Sequence, residues 1–144
     1  MAVIGVDSSG KAGQPPIFMV VKKGKAYRCV HMSPTAEHEY RGMARWKYKV
    51  SAALIYRAAE PLFVKGDIIE IDEDFTGHSK LIKKYLIRLF ISLKGERPQI
   101  YFSRRLSSKY VEKADVLTKL AKRGFLRIHE SNPDLKKEFK ILGP

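Results

Sequence analysis

Cysteine is almost missing from this chain: Cys29 stands alone, so no intramolecular disulfide can form and a disulfide-built secreted scaffold is excluded. No apolar run approaches the roughly 18 residues a membrane-spanning helix needs, and no signal-peptide pattern opens the sequence. The expected compartment is therefore the cytoplasm. Acids are scarce as well, with 15 Asp plus Glu against 28 Lys plus Arg and a formal charge of +13. Each cation that neutralises a phosphate releases condensed counterions, so this imbalance favours nucleic acid as a partner. A basic surface that merely solvates helix faces is the competing explanation. At 144 residues and 44% hydrophobic content there is material for one domain with one core.

The few acids are unevenly placed. Five of the 15 fall between Asp67 and Asp74, whereas Lys22 to Arg28, Arg41 to Arg57 and His78 to Lys94 contain bases and no carboxylate. A broad cationic surface around one acidic spot suits an enzyme that grips phosphates and holds divalent cations at a point.

The apolar run Ala2 to Val6 predicts a buried first strand ending near Asp7, where Asp7-Ser8-Ser9-Gly10 has turn chemistry. Ile17 to Val21 and Ala26 to Met32, separated by Lys22-Lys23-Gly24-Lys25, predict a hairpin. From Ala36 to Ala59, Met43, Trp46, Val50, Ala53 and Leu54 recur at helical spacing. Asp67 to Ile71 reads as a fourth strand with Asp72 at its end, Leu81 to Leu93 as a second helix, and Pro98 to Ser103 as a fifth strand. A third helix starts after Ser107 or Ser108 and stops at Gly124. The order β-β-β-α-β-α-β-α implies an α/β fold in three layers, a mixed five-stranded sheet with helices on both faces. Residues 1–124 form that domain, and 125–144 are an extension with no evident role.

Asp7 and Asp72 both sit at expected strand ends, so neighbouring strands would bring their carboxylates together. An Asx turn and a solvated acidic loop are the plain alternatives. Other constellations fail. Gly5-x4-Gly10-Lys11 imitates a phosphate-binding loop, but Ala12 lacks the hydroxyl and Pro15-Pro16 block the following helix. His31, His38, His78 and His129 lack Cys or His partners at zinc spacing. His78 is near enough to Asp72 in sequence to assist proton transfer, and Ser8 and Ser9 lack a nucleophile's partners. Trp46, Tyr48 and Tyr56 lie among bases and are open to stacking, although Trp46 is in phase with the core. Lys11, Lys22, Lys23, Arg104, Arg105 and Lys109 are the candidate phosphate contacts.

Three segments together resemble the ribonuclease H-like superfamily across roughly Ala2 to Gly124. They are Ile4-Gly5-Val6-Asp7-Ser8-Ser9-Gly10, Ile69-Glu70-Ile71-Asp72, and Val111-Glu112-Lys113-Ala114-Asp115-Val116-Leu117-Thr118. The third is the most specific. Val111 replaces the family's asparagine, and no histidine lies between Tyr101 and Lys109. The resemblance implies Asp7, Asp72 and Asp115 as ligands of Mg²⁺ or Mn²⁺, with Glu39, or Glu37 second, as the fourth acid at the start of the first helix. It implies phosphodiester hydrolysis in RNA, an RNA/DNA hybrid or branched DNA. A catalytically silent nucleic-acid-binding domain of the same fold is the alternative, and an assembly domain whose charge only reflects composition is a third.

Overall fold

The computed structural model describes residues 2–73, 78–104 and 108–143. Strand β1 (Val3–Lys11) turns at Ala12-Gly13 into β2 (Gln14–Lys23), which turns at Gly24-Lys25 into β3 (Ala26–Met32). Ser33 caps the short α1 (Pro34–His38), its hydroxyl accepting from the Ala36 amide, and α2 (Trp46–Ala59) follows. Next come β4 (Ile68–Asp72), α3 (Ser79–Lys94), β5 (Gln99–Ser103), α4 (Lys109–Lys122), β6 (Glu130–Ser131) and α5 (Lys136–Leu142). Helix α3 ends at Gly95, whose left-handed backbone at φ +71° returns its N–H to the last carbonyls. Among the described residues no helix is long and apolar enough to cross a membrane.

The sheet is mixed and six-stranded, in the order β5-β4-β1-β2-β3-β6. β1 is antiparallel to β2 and parallel to β4, so the first strand is central, flanked by its hairpin partner and by a crossover strand. Alternation along each strand then sorts side chains to two faces. Ile4, Val6, Met19, Val21, Ile69 and Ile71 join residues of α2 and α3 such as Leu54, Leu86 and Phe90 in the main core. On the other face, Val20 and Cys29 pack with Ala121 and Leu117 of α4. Helices therefore cover both faces.

Three expectations change. The strand carrying Asp7 continues through the supposed turn to Lys11, because pairing with β2 holds Ser8 and Ser9 in register and a bulge absorbs Gly10. The expected first helix is two, divided at 39–45, where Arg45 takes φ 56°. The five-stranded sheet gains a sixth strand, β6, which pairs with β3 across about a hundred residues of sequence. The segment after Gly124 thus has a structural role. Leu135, Phe139 and Leu142 are buried in the main core, Tyr40 stacks on Phe139 at 4.7 Å between centroids, and the Tyr40 hydroxyl accepts from the Leu135 amide at 2.8 Å.

Candidate active site

Gly5 sets the approach of α4 to the sheet. A Cβ at Gly5 would lie 2.2 Å from the carbonyl oxygen of Tyr110, so only glycine lets the start of α4 lie directly on β1. Two residues along the same face, Asp7 points toward α4 and is 3% exposed. Val6 pairs with Ile71, and one further step in that parallel register sets Asp72 beside Asp7. Asp72 is also buried, at 7% exposure, and pairs in register with Ser103 of β5.

The third carboxyl arrives from α4. Asp115 lies 15% exposed, with Lys119 one turn on at 3.2 Å from its Oδ2. Thr118 sits at the same point of the helix, buried, its hydroxyl 3.1 Å from Asp7 Oδ2 and 2.7 Å from the Asp115 carbonyl oxygen. One hydroxyl hydrogen is thus shared by two acceptors, and it ties Asp7 to the backbone that carries Asp115.

These neighbours make ionisation of Asp7 unfavourable. Burial pushes its carboxyl up, hydrogen bonding to Asp72 and repulsion from it push further, and a hydrogen bond with Asp115 adds to both. The Ser8 backbone works weakly in the other direction. The result is a carboxyl raised from 3.8 to about 8, which keeps its proton at neutral pH. Three carboxyls from β1, β4 and α4 therefore meet around one proton. The donor set is all oxygen, the chemistry hard divalent cations require. As the side chains stand, no group of three or more His, Cys, Asp or Glu among the described residues is arranged to hold a metal ion.

The remaining candidates are dispersed. Glu39 is half exposed against Lys136 of α5 at 3.5 Å, and it is not among the groups acting on Asp7. The expected acid at the start of the first long helix is missing there, since the first turn of α2 contains none. Glu37 is fully buried, but it accepts from the Gly13 amide at 3.2 Å and from Arg41 at 3.1 Å, fastening α1 to the β1–β2 turn. Lys23 is committed to Asp67 at 2.6 Å and to the Leu62 carbonyl, and Lys22 donates to the Gly24 carbonyl. Both lie beside the β2–β3 turn, toward the sheet edge opposite Asp72, so they do not share its site. Lys11 is exposed at the end of β1. Arg104 is exposed immediately after Ser103, at the Asp72 edge. Lys109 opens α4 with its ammonium 5.2 Å from the Tyr110 ring centre. Arg105 lies outside the described residues. His78 precedes α3 and its ring lies 4.3 Å from that of Tyr48. The Trp46 ring is packed partly against the core, with the Arg41 guanidinium 5.6 Å from its centre.

The four-residue spacing predicts Lys119 as a surface ion-pair partner of Asp115, which is observed, whereas sequence reasoning assigned no role to Thr118. The signal available for Thr118 was its spacing of three residues from Asp115, which places it on the same side of the helix. Compared with protein-family models and with curated proteins, the chain matches none.

Proposed function

We propose that this protein is a metal-dependent nuclease that hydrolyses phosphodiester bonds in nucleic acid. The observation that carries the reading is the meeting of Asp7, Asp72 and Asp115, two of them buried, around a carboxyl that retains its proton to about 8. Carboxylates gathered where their charges repel are a destabilising arrangement unless a cation, or in its place a proton, neutralises them. Asp7, Asp72 and Asp115 would hold Mg²⁺ or Mn²⁺, which supplies an activated water and charge stabilisation at the leaving oxygen. Thr118 orients the Asp7 carboxyl, and the largely exposed Lys119 and Arg104 offer positive charge to a phosphate at the rim. The net charge of +13 supports a polyanionic substrate, and the order of strands and helices supports the ribonuclease H-like resemblance.

A silent nucleic-acid-binding domain is the second reading. It is favoured by the surface position of Glu39 and by the ion pair that engages Asp115 with Lys119. Asp115→Asn separates the two. An ion pair with so exposed a lysine contributes about 0–1 kcal/mol, so the variant keeps its stability. On the nuclease reading it loses Mn²⁺-dependent cleavage of a panel of RNA, hybrid, single-stranded and branched substrates. A variant that cleaves as fast as the parent refutes the ligand role, and a parent that binds nucleic acid but cleaves nothing points to the silent domain.

A further inference from the structure

The outer side of α3 and the edge strand β5 enclose a basic groove that begins away from the carboxyl cluster. Lys80, Lys83, Lys84 and Arg97 line a hollow of about 360 Å³, and Lys83 and Arg97 also line an adjoining one of about 200 Å³ that runs along β5 to Tyr101. Among the described residues no acid lines either hollow. Among the described residues none of the four cations is in a salt bridge, and Lys80, Lys83 and Lys84 repel one another at three- and four-residue spacing on the helix. Unneutralised positive charge gathered at this density is complementary to a polyanion.

Tyr101 gives the groove a direction. It is 54% exposed and pairs in register with Glu70, while its neighbour Ile100 is buried in the core on the α3 side. Alternation along the strand therefore puts Tyr101 on the other face of the sheet, the face that carries Asp7 and Asp72. Ser103, two residues on, is the register partner of Asp72, so strand geometry sets Tyr101 and Asp72 roughly 8 Å apart between Cα atoms. The groove begins among lysines on one side of the sheet and ends at an open aromatic ring beside the carboxyls. An exposed ring of this kind stacks on a base that is not already stacked in a duplex.

We infer that the α3–β5 groove is a track for a single-stranded segment of nucleic acid, with Lys80, Lys83, Lys84 and Arg97 on its phosphates and Tyr101 stacked on a base. The track's role in delivering substrate rests on the nuclease reading of Asp7, Asp72 and Asp115, but its occupancy does not. Binding of a fluorescein-labelled pyrimidine strand of about 12 nucleotides to the full chain, in EDTA, is therefore the primary measurement. The expected result is tighter binding of the single strand than of a duplex of equal length. Tyr101→Ala weakens it on the order of 10-fold, whereas Tyr101→Phe, which keeps the ring, binds as the parent does. Lys83→Ala with Arg97→Ala lowers the slope of log affinity against log salt by about 1.4, two phosphate contacts at about 0.7 each. Equal affinity for the duplex, unchanged binding in these variants, or displacement of the strand by poly-glutamate at equal charge overturns the proposal. Cleavage with Mn²⁺ is read separately. A strand held in the groove but never cut leaves the track standing and removes the nuclease, while cleavage and binding unaffected by all the groove variants do the reverse.

Discussion

Asp7→Asn should stabilise the metal-free protein above neutral pH, although it alters a buried polar residue in the central strand. The side chains are equal in size, and an amide can donate to Asp72 or Asp115 as the retained proton does. The native carboxyl is raised from 3.8 to about 8 by burial first and Asp72 second. Between those values the folded protein holds a proton that the unfolded chain has released, so stability falls as pH rises, by up to ~1.4 kcal/mol per unit. Below 3.8 both states are protonated and above about 8 both are ionised, and the loss is constant in each region. Carried across the whole window the cost is ~6 kcal/mol, and rearrangement of the partly exposed Asp115 with entry of water lowers it to ~2–4 kcal/mol. For a chain of this size that is a rise in melting temperature of roughly 5–15 °C at pH 9, shrinking to nothing near pH 4. Thermal melts of parent and variant in EDTA from pH 4 to 9 read the difference directly, since titrating groups remote from the cluster cancel. Mn²⁺ should narrow the gap by stabilising the parent alone. A variant no more stable than the parent at pH 8–9, or a difference that does not grow with pH, refutes the account of the carboxyl cluster.

Gly5→Ala forces the Tyr110 carbonyl away from β1 and should destabilise by ~2–3 kcal/mol, with Asp115 displaced from Asp7, so that the variant's melting temperature also loses its dependence on Mn²⁺. Asp67→Asn should cost ~2–4 kcal/mol in denaturant melts at pH 7, because burial acts to raise that carboxyl but Lys23 and the amides of Val64 and Ala2 outweigh it and hold it below 3.8. The sign is opposite to that of Asp7: this stability is present above 3.8 and disappears as pH falls through the lower native value, so the variant and parent should converge in acid. Phe139→Ala should cost ~3–4 kcal/mol, and a melt in which it unfolds a separate, earlier transition instead of shifting the single one would show that 125–144 is not part of the core.

The parts of the fold legible in the sequence are those whose residues signal locally. β3 occupies the expected Ala26–Met32, and α3 follows the spacing of Ile82, Leu86, Leu89 and Phe90 to its terminal Gly95. β4 ends at Asp72 because an apolar run meets a cluster of acids. The convergence of Asp7 with Asp72 was readable for the same reason, as two carboxylates following two buried runs. What could not be read depends on distant partners. Ser8 and Ser9 have turn chemistry, and only β2 makes them strand. Glu130–Ser131 has no strand signal of its own and takes its conformation from β3. Met43 and Trp46 continue the spacing of α2 backwards, yet Tyr40 is drawn out of line by Phe139 and Leu135, which breaks the helix there and leaves Glu39 on the surface.

The central strand is the first in the chain, and this governs the order in which the structure can assemble. β1, β2 and β3 are joined by two-residue turns and can meet at small entropic cost, whereas β4 must close a loop from Lys11 to Ile68 before it touches β1. The three-stranded meander that forms cheaply carries Asp7 alone. Asp72 and Asp115 reach it only through those long closures, so completing the sheet is what gathers the carboxyls. In this topology the carboxyl cluster exists only once the sheet is complete, so whatever neutralises the carboxyls, a proton or a cation, favours the completed fold.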